Sequence, residues 1–199
     1  MVAKVFDDIL LRGIRAGELP GRTQASREWY RAQAGKIKKG RVSEQSLTSD
    51  RNRKSNDTAL GNMYFFGYEA KHKDKLPYYD RFPLIFPIGP AKGGFMGINL
   101  HYLPPRLRAQ LMDALYSTVS NDKLDSSTKL KISYKILSGA AKYRLFKPTI
   151  KHYLTKQVKT DFVYIQPSEW DIALFLPTAN FVGASKNKVY SDSRKIING

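Results

Sequence analysis

The chain has 199 residues, of which 34 are Lys or Arg and 17 are Asp or Glu, so its formal net charge is +17. This length allows a buried core in one domain or two small ones, and a hydrophobic content of 42% with no cysteine excludes a disordered basic tail, a disulfide framework, a thiolate metal site and a cysteine nucleophile. Such a charge predicts a polyanionic partner, by default nucleic acid, with a virion-embedded or ribosome-like protein as the alternative.

Residues 1–38 are predicted to form an N-terminal helical arm of two short helices. Apolar side chains recur at helical spacing from Phe6 to Ile14, and Thr23 can cap a second helix that carries Trp29. An acidic pair follows Phe6 where a signal peptide has its apolar run, so we expect no targeting segment. Because neither helix is long enough to be stable alone in water, we expect the arm to dock on the main domain or on a partner.

Residues 39–60 have the polar, Ser- and Asn-rich composition of a linker. A basic cluster from Arg51 to Lys54 within it either contacts phosphate or is incidental charge on a solvated linker. Residues 61–180 are predicted to form a basic α+β core domain, and residues 181–199 a loose polar tail.

Three strands are predicted at the start of the core domain, over residues 63–68, 78–88 and 95–103. A charged turn at residues 71–75 separates the first two, and a glycine-rich turn at residues 89–94 precedes the third. Prolines in the second run restrict it to an edge strand or a bent barrel strand. The three strands therefore predict an antiparallel meander that closes into a small SH3-like β-barrel.

A helical segment is predicted to follow these strands. A proline pair ending at Pro105 starts one helix, Ser126 or its neighbour caps a second, and a third begins near Pro148 with lysines on its solvent-facing side. Residues 162–165 have the pattern of a strand, whereas residues 168–176 fit either a short helix or a buried strand.

The strongest chemical signal is a segment without acidic residues between Asp125 and Asp161. Its 35 positions carry nine Lys or Arg residues, which favours phosphate binding over the alternative of a solvated helix face, where charges of both signs are usual. The turn after the first strand and the first helical turn after Pro105 hold two smaller basic groups. The predicted DNA-binding residues are Lys71, Lys73, Lys75, Arg106, Arg108, Lys129, Lys131, Lys135, Lys142, Arg144, Lys147, Lys151, Lys156 and Lys159.

Patterns for catalysis are weak. The three histidines are far apart without metal-ligand spacing, and no glycine-rich phosphate loop is present, so we expect no metal, no cofactor and no enzyme. Glu69 and Lys71 resemble half of a metal-dependent nuclease site, for which Asp57 or Asp80 would have to supply the second carboxylate.

Aromatic residues are dense in two stretches, residues 64–68 and residues 77–83. Stacking on exposed bases and packing inside a barrel both account for them, and packing is the favoured interpretation.

Four blocks of the sequence resemble the DNA end protector family of T-even-like tailed phages, which are myoviruses. The resemblance extends from about residue 60 to residue 180. The blocks are Leu76-Pro-Tyr-Tyr-Asp-Arg-Phe-Pro-Leu-Ile-Phe-Pro, Gly94-Phe-Met-Gly-Ile-Asn-Leu-His-Tyr-Leu-Pro-Pro-Arg, Phe146-Lys-Pro-Thr-Ile-Lys-His-Tyr-Leu and Pro167-Ser-Glu-Trp-Asp-Ile-Ala-Leu-Phe-Leu-Pro-Thr.

The resemblance implies a non-enzymatic protein that binds the ends of the linear double-stranded genome, shields them from host exonuclease after injection and assists head completion. It implies a location in the virion, and in the host cytoplasm after injection and during assembly. The implied partners are double-stranded DNA ends and, through the N-terminal arm, virion proteins of the head, neck or tail; no membrane partner is expected. Tyr78 and Tyr79, beside the lysine turn, are candidates for stacking on the terminal base pair, whose face only an end exposes.

Two other functions stay open at this point. The short N-terminal helices also suit a virion structural protein of the neck, tail or baseplate. The pair Glu69 and Lys71 suits a metal-dependent nuclease.

Overall fold

The computed structural model describes residues 11–17, 54–55, 58–104, 107–109, 111–113, 128, 134–135, 137–139, 144–166, 170–175 and 178–199. Its strands are β1 (Lys54–Ser55), β2 (Met63–Phe65), β3 (Tyr79–Asp80), β4 (Leu84–Ala91), β5 (Gly94–Asn99), β6 (Ile150–Leu154), β7 (Phe162–Ile165) and β8 (Phe181–Val182). Its helices are α1 (Trp170–Phe175) and α2 (Lys186–Asn198), with 3₁₀ helices at Leu100–Tyr102, Arg144–Thr149 and Thr155–Gln157.

Most strands belong to one antiparallel sheet with the order β1-β7-β2-β4-β5-β6, and β3 pairs with β8 in a second, two-stranded sheet. The predicted meander is confirmed, because β2, β4 and β5 are antiparallel neighbours. Gly93 makes the turn between β4 and β5 with a φ of 73°, a conformation that glycine adopts without strain. The α+β class is thus confirmed, whereas a closed SH3-like barrel is not found in this strand order.

The chain beyond β2 contacts the chain beyond β6. Tyr68 and Val158 form an isolated antiparallel bridge. The amide of Lys159 donates to the carbonyl of Gly67 at 2.8 Å, and that of Glu69 donates to the carbonyl of Gln157 at 3.1 Å. These bonds place the charged turn at residues 71–75 beside the segment that follows β6.

The sheet separates two hydrophobic clusters, since alternate residues of each strand face opposite sides. On β4, Leu84 and Phe86 belong to the larger cluster, which also contains Trp170. Ile85, between them, belongs to the smaller one. The smaller cluster is almost entirely aromatic and consists of Tyr64, Phe66, Tyr68, Ala70, Tyr79, Ile85, Tyr153 and Phe162.

The prediction of packing for the aromatic stretch at residues 64–68 is confirmed. The ring of Phe66 is 1% exposed and lies 4.9 Å from the ring of Phe162 and 5.4 Å from that of Tyr153, both edge to face. Such pairs add to the burial free energy and fix ring orientation. Phe65, whose side chain points to the other face of β2, is only half-buried.

The predicted third helix is wrong. Arg144–Thr149 forms a 3₁₀ helix that contains Pro148, and the next five residues form β6, which pairs with β5 in the register Phe95↔Tyr153. A proline inside a longer α-helix would remove a backbone hydrogen bond. Pairing with β5 supplies hydrogen bonds to a segment that is rich in β-branched and aromatic residues.

The tail is not loose, because α2 occupies most of it. The side chain of Ser185 accepts a hydrogen bond from the amide of Lys188 at 3.3 Å, which caps the helix, and Val189 is fully buried. The structure also decides two other segments. Residues 170–175, which fitted either a helix or a strand, are helical. Lys54–Ser55, in the predicted linker, forms β1 and pairs with β7.

Other predicted helices lie partly outside the described residues. Residues 11–15 of the arm are helical, as are residues 107–109 and 111–113 after the proline pair. The second helix of the arm lies outside the described residues. Within the described ranges, no helix combines the length and the apolarity needed to cross a membrane.

Candidate nucleic-acid interface

Six lysines from three segments that are distant in sequence lie at one end of the sheet. The carboxylate of Glu69 contacts the ammonium of Lys73 at 2.6 Å and that of Lys159 at 3.2 Å, which joins the charged turn to the segment after β6. The amide of Thr155 donates to the carbonyl of Gly93 at 3.0 Å, which brings in the turn between β4 and β5. We call this surface the basic rim, and it consists of Lys71, Lys73, Lys75, Lys92, Lys156 and Lys159.

The basic rim has an excess of positive charge that its own carboxylates do not balance. All six lysines are exposed, and the nearby acidic residues are Glu69 and Asp74. Hydrogen bonds from Lys73 and then Lys159 lower the pKa of Glu69, so this carboxylate stays ionised and holds the two lysines together. In the part of the chain that the structure describes, no carboxylate forms an ion pair with Lys71 or Lys156.

Five of the predicted DNA-binding residues lie on the basic rim, and Lys92 is an addition that the sequence reasoning missed. Its signal was present, since a lysine in a tight glycine turn is held out into solvent. Two further candidates, Lys135 and Lys147, are exposed elsewhere on the surface. The candidates whose positions or side chains the structure does not describe are Arg106, Lys129, Lys131, Lys142 and Arg144.

Arg108 is not available for phosphate, which corrects its prediction as a DNA contact. It is only 9% exposed. Its guanidinium donates to the carbonyls of Leu103 at 2.8 Å and His101 at 3.0 Å, and to the hydroxyl of Tyr190. The helix after Pro105 therefore turns this side chain inward, where it links the 3₁₀ helix at Leu100–Tyr102 to α2.

Lys151 is largely withdrawn from the surface, although its side chain was predicted to face solvent. It lies on β6 with its ammonium 4.1 Å from the centre of the Tyr102 ring, a cation–π contact. Burial lowers the pKa of Lys151 to about 8. Lys151 is therefore less accessible to a phosphate than the exposed rim lysines are.

Of the two tyrosines predicted to stack on a terminal base pair, Tyr79 is buried, whereas the stacking of Tyr78 stays a prediction. Tyr79 is 8% exposed and belongs to the aromatic cluster, which leaves no free ring face for a base and corrects that prediction. Tyr78 is half-buried, with its ring 6.2 Å from that of Tyr102 and 6.3 Å from that of Phe181.

A buried polar network holds β3, β5 and the segment before β8 together. Asp80 accepts hydrogen bonds from Asn99 at 2.9 Å and from the amide of Asn180 at 3.3 Å. It also contacts Nδ1 of His101 at 2.6 Å, and Nε2 of that ring lies 3.0 Å from the hydroxyl of Thr178. No local pattern predicts this network, since its members are separated by up to 100 positions.

The protonation states of this network follow from its surroundings. Burial raises the pKa of Asp80, but the contacts with His101 and Asn99 outweigh burial and hold the pKa below its ordinary value. Burial lowers the pKa of His101, and Asp80 only partly opposes this. A neutral imidazole then donates from Nδ1 to Asp80 and accepts at Nε2 from Thr178. The order carboxylate, imidazole, hydroxyl is that of a nucleophilic triad, but His101 is 1% exposed, so the network supports the fold.

The carboxylates named for a nuclease site are engaged elsewhere. Glu69 is held by two lysines, and the oxygens of Asp80 are satisfied by His101, Asn99 and backbone amides. Asp57 lies outside the described residues. Among the residues that were searched for metal ligands, namely the described ones, no group of three His, Asp or Glu is close enough to hold an ion.

The fold and the basic rim together define an α+β DNA-binding protein of high positive charge. The sequence match makes the assignment specific: the chain belongs to the family described as Phage T4 terminal DNA protecting protein, which matches residues 22–198. No curated protein and no solved structure matches the chain. Membership of the family confirms the resemblance found in the four sequence blocks, and with it the function of protecting the ends of phage DNA against exonuclease.

Proposed function

We propose that the protein protects DNA ends by occupancy, with the basic rim as its grip on the terminal phosphates. The observation that carries the proposal is the convergence of six exposed lysines from three separate segments at one end of the sheet. Lysines bind phosphates as point charges and need no particular base sequence. A protein that occupies the end and dissociates slowly keeps an exonuclease from its substrate without performing any reaction itself.

Glu69 organises this grip. By holding Lys73 and Lys159 together it fixes two lysines from different segments at a spacing that does not depend on DNA. Preorganised charge loses less side-chain entropy on binding than mobile lysines do. The remaining rim lysines then act as free cations around this fixed pair.

The architecture supports a finer interpretation of the fold. The chain passes through β2, β4, β5 and β6, makes the 3₁₀ turn at Thr155–Gln157 and returns as β7 to pair with β2. We infer an SH3-like course for these strands, with the Tyr68 and Val158 bridge beginning a closure. The predicted helical segment falls between β5 and β6, where residues 107–109 and 111–113 are helical.

The second part of the proposal concerns other proteins: the protein is located in the virion and assists head completion. The N-terminal arm is the docking element we favour, because Ile14 on its helical residues is 50% exposed. An apolar side chain that projects from a short helix suits burial against a partner. If the protein is instead purely a structural subunit of the neck, tail or baseplate, it will bind the virion through this arm and show no preference for linear DNA.

The rim is tested by salt dependence with a matched control. Replacing Lys71, Lys75 and Lys156 by Gln removes three exposed rim charges, and replacing Arg15, Arg194 and Lys195 by Gln removes three exposed charges elsewhere. Log K falls as log salt rises, and each lost phosphate contact makes this slope less steep by about 1. We therefore expect the slope for linear duplex to be less steep by about 3 in the rim variant than in the wild type. The control variant should keep the wild-type slope. Equal slopes for the two variants would place the grip elsewhere.

A further inference from the structure

An apolar cleft opens beside the basic rim, between the end of β2 and the start of β7. Its volume is about 230 Å³. Clefts that take whole drug-sized ligands measure roughly 300–1,000 Å³, so this one suits a single flat ring system. Its lining includes Phe65, Phe82, Gly67 and Val163, with Lys54 and Asp161 at its polar side.

Two phenylalanine rings line the cleft. The rings of Phe65 and Phe82 are stacked, with centroids 6.0 Å apart and planes inclined by 24°. Both side chains are half-buried, unlike Phe66 and Tyr79, whose rings are packed inside the protein. Partly exposed aromatic rings are what a nucleobase stacks on.

The cleft is continuous with the basic rim. The amide of Gly67, in the cleft, donates to the hydroxyl of Thr160 at 2.8 Å, and the carbonyl of Gly67 accepts from the amide of the rim residue Lys159 at 2.8 Å. A side chain at position 67 would lie 2.9 Å from a methyl carbon of Thr160, so Thr160 would have to move to admit it. A nucleotide whose phosphate lies on Lys159 is therefore adjacent to the cleft.

The polar side of the cleft has both donors and acceptors. The ammonium of Lys54 lies 3.9 Å from the carboxylate of Asp161, and both side chains are substantially exposed. A base edge carries amino donors and carbonyl or ring-nitrogen acceptors, which such a pair can satisfy. An apolar side chain cannot form hydrogen bonds with Lys54 or Asp161. The two charges therefore favour a base over an apolar side chain of a partner.

We propose that this cleft binds the unpaired terminal base of a DNA end, while the basic rim holds the phosphates behind it. The proposal rests on the proposed function and deepens it, because it names the feature that distinguishes an end from internal duplex. Internal bases are stacked on both faces, whereas a terminal or frayed base has a free face and can leave the stack at a small cost. The aromatic contact is thus assigned to Phe65 and Phe82.

The test compares two DNA ends that differ only in the base. A duplex closed by a hairpin at one end carries, at the other, either one overhanging nucleotide or the same unit without its base, so the phosphate charge is equal. Stacking of a base on an aromatic side chain is worth about 1–3 kcal/mol, which corresponds to roughly 5- to 150-fold in affinity. We expect the wild-type protein to prefer the base-bearing end by a factor in that range.

Two variants assign the preference to the cleft. Phe82→Leu keeps an apolar side chain but removes the ring face, and should bring the ratio of the two affinities close to one while leaving the affinity for the abasic end unchanged. Phe181→Leu replaces a half-buried phenylalanine of β8 away from the cleft and should keep the wild-type ratio. A wild-type ratio near one, or an undiminished ratio in Phe82→Leu, overturns the proposal; a cleft that accepts a side chain of a partner protein gives the first of these results.

Failure of the proposed function has a different signature. Circular duplex of the same sequence, measured beside the linear form, then binds equally well. That result removes end protection through the basic rim, while a base-dependent ratio abolished by Phe82→Leu would still establish a site for unpaired bases. Equal binding of both ends with a preserved preference for linear over circular DNA removes the cleft proposal alone.

Discussion

At the scale of single residues, the surroundings of a charged side chain decide whether it binds DNA or supports the fold. Lys156 and Lys151 lie five positions apart, yet the first is exposed on the basic rim and the second is half-buried against the Tyr102 ring. Arg108 and Asp80 are buried and held by hydrogen bonds. In the composition all these residues count equally as charged. Only the fold distinguishes the exposed side chains from those that are withdrawn from the surface.

The buried network predicts a loss of stability in acid. The pKa values of His101 and Asp80 are both lowered in the folded protein, so the unfolded chain binds more protons as the pH falls below the ordinary histidine value of 6.5. Stability is therefore fully present above that pH and declines below it. Urea denaturation midpoints measured from pH 7 to pH 4.5 should fall steadily.

The variant His101→Asn tests the source of this decline. Its amide can still donate to Asp80 but does not titrate, so the midpoint should change less between pH 6.5 and pH 5 than in the wild type. His72→Asn removes an exposed histidine and is the control. A wild-type slope in His101→Asn would show that the network does not cause the decline.

The lowered pKa of Lys151 predicts that stability rises in alkaline solution, which is the opposite of the decline in acid. Because burial lowers the pKa of Lys151 to about 8 from 10.5, the folded state gains stability relative to the unfolded chain as the pH rises from 8 to 10.5. Lys151→Met removes the buried charge, so thermal unfolding at pH 7 should occur at or above the wild-type temperature. The difference between variant and wild type should then shrink toward pH 10, and a constant or growing difference contradicts this account.

At the scale of elements, the strands near residue 63 and their turns were predictable because apolar runs and glycine turns are local signals. Strand β6 was not, since the apolar residues at 150, 154 and 158 also fit a helix and the partner strand β5 ends about 50 positions earlier. Helix α2 was missed because its mean character is polar. The basic rim depends on β6, whose end brings Lys156 and Lys159 beside the other rim segments, and so only its separate lysine groups could be predicted from the sequence.

The cap of α2 provides a test at this scale. Ser185 accepts a hydrogen bond from the amide of Lys188, and replacing an N-cap serine by alanine costs about 1 kcal/mol. Ser185→Ala should lower the free energy of unfolding by about that amount, because α2 also packs on the body of the protein through Val189. The matched variant Ser191→Ala lies on the exposed side of α2 and should change stability little. Equal effects of the two variants would contradict the capping role.

At the scale of the whole molecule, the net charge of +17 is informative because of where the charged residues lie in the fold. Six lysines surround one end of the sheet, an aromatic cleft opens beside them, and the buried charges lie behind, where they tie the helices to the strands. Family membership supplies the task, the protection of phage DNA ends. The physical means that we propose is occupancy of the terminus by the lysines of the basic rim.

The central claim is that the basic rim protects a DNA end by occupying it. The most direct measurement is the half-life of linear duplex under a processive exonuclease, for the wild type and for the two triple Gln variants. The account predicts a long half-life with the wild type and with the variant at Arg15, Arg194 and Lys195. The variant at Lys71, Lys75 and Lys156 should give a half-life near that of naked DNA. Full protection by this rim variant would contradict the account.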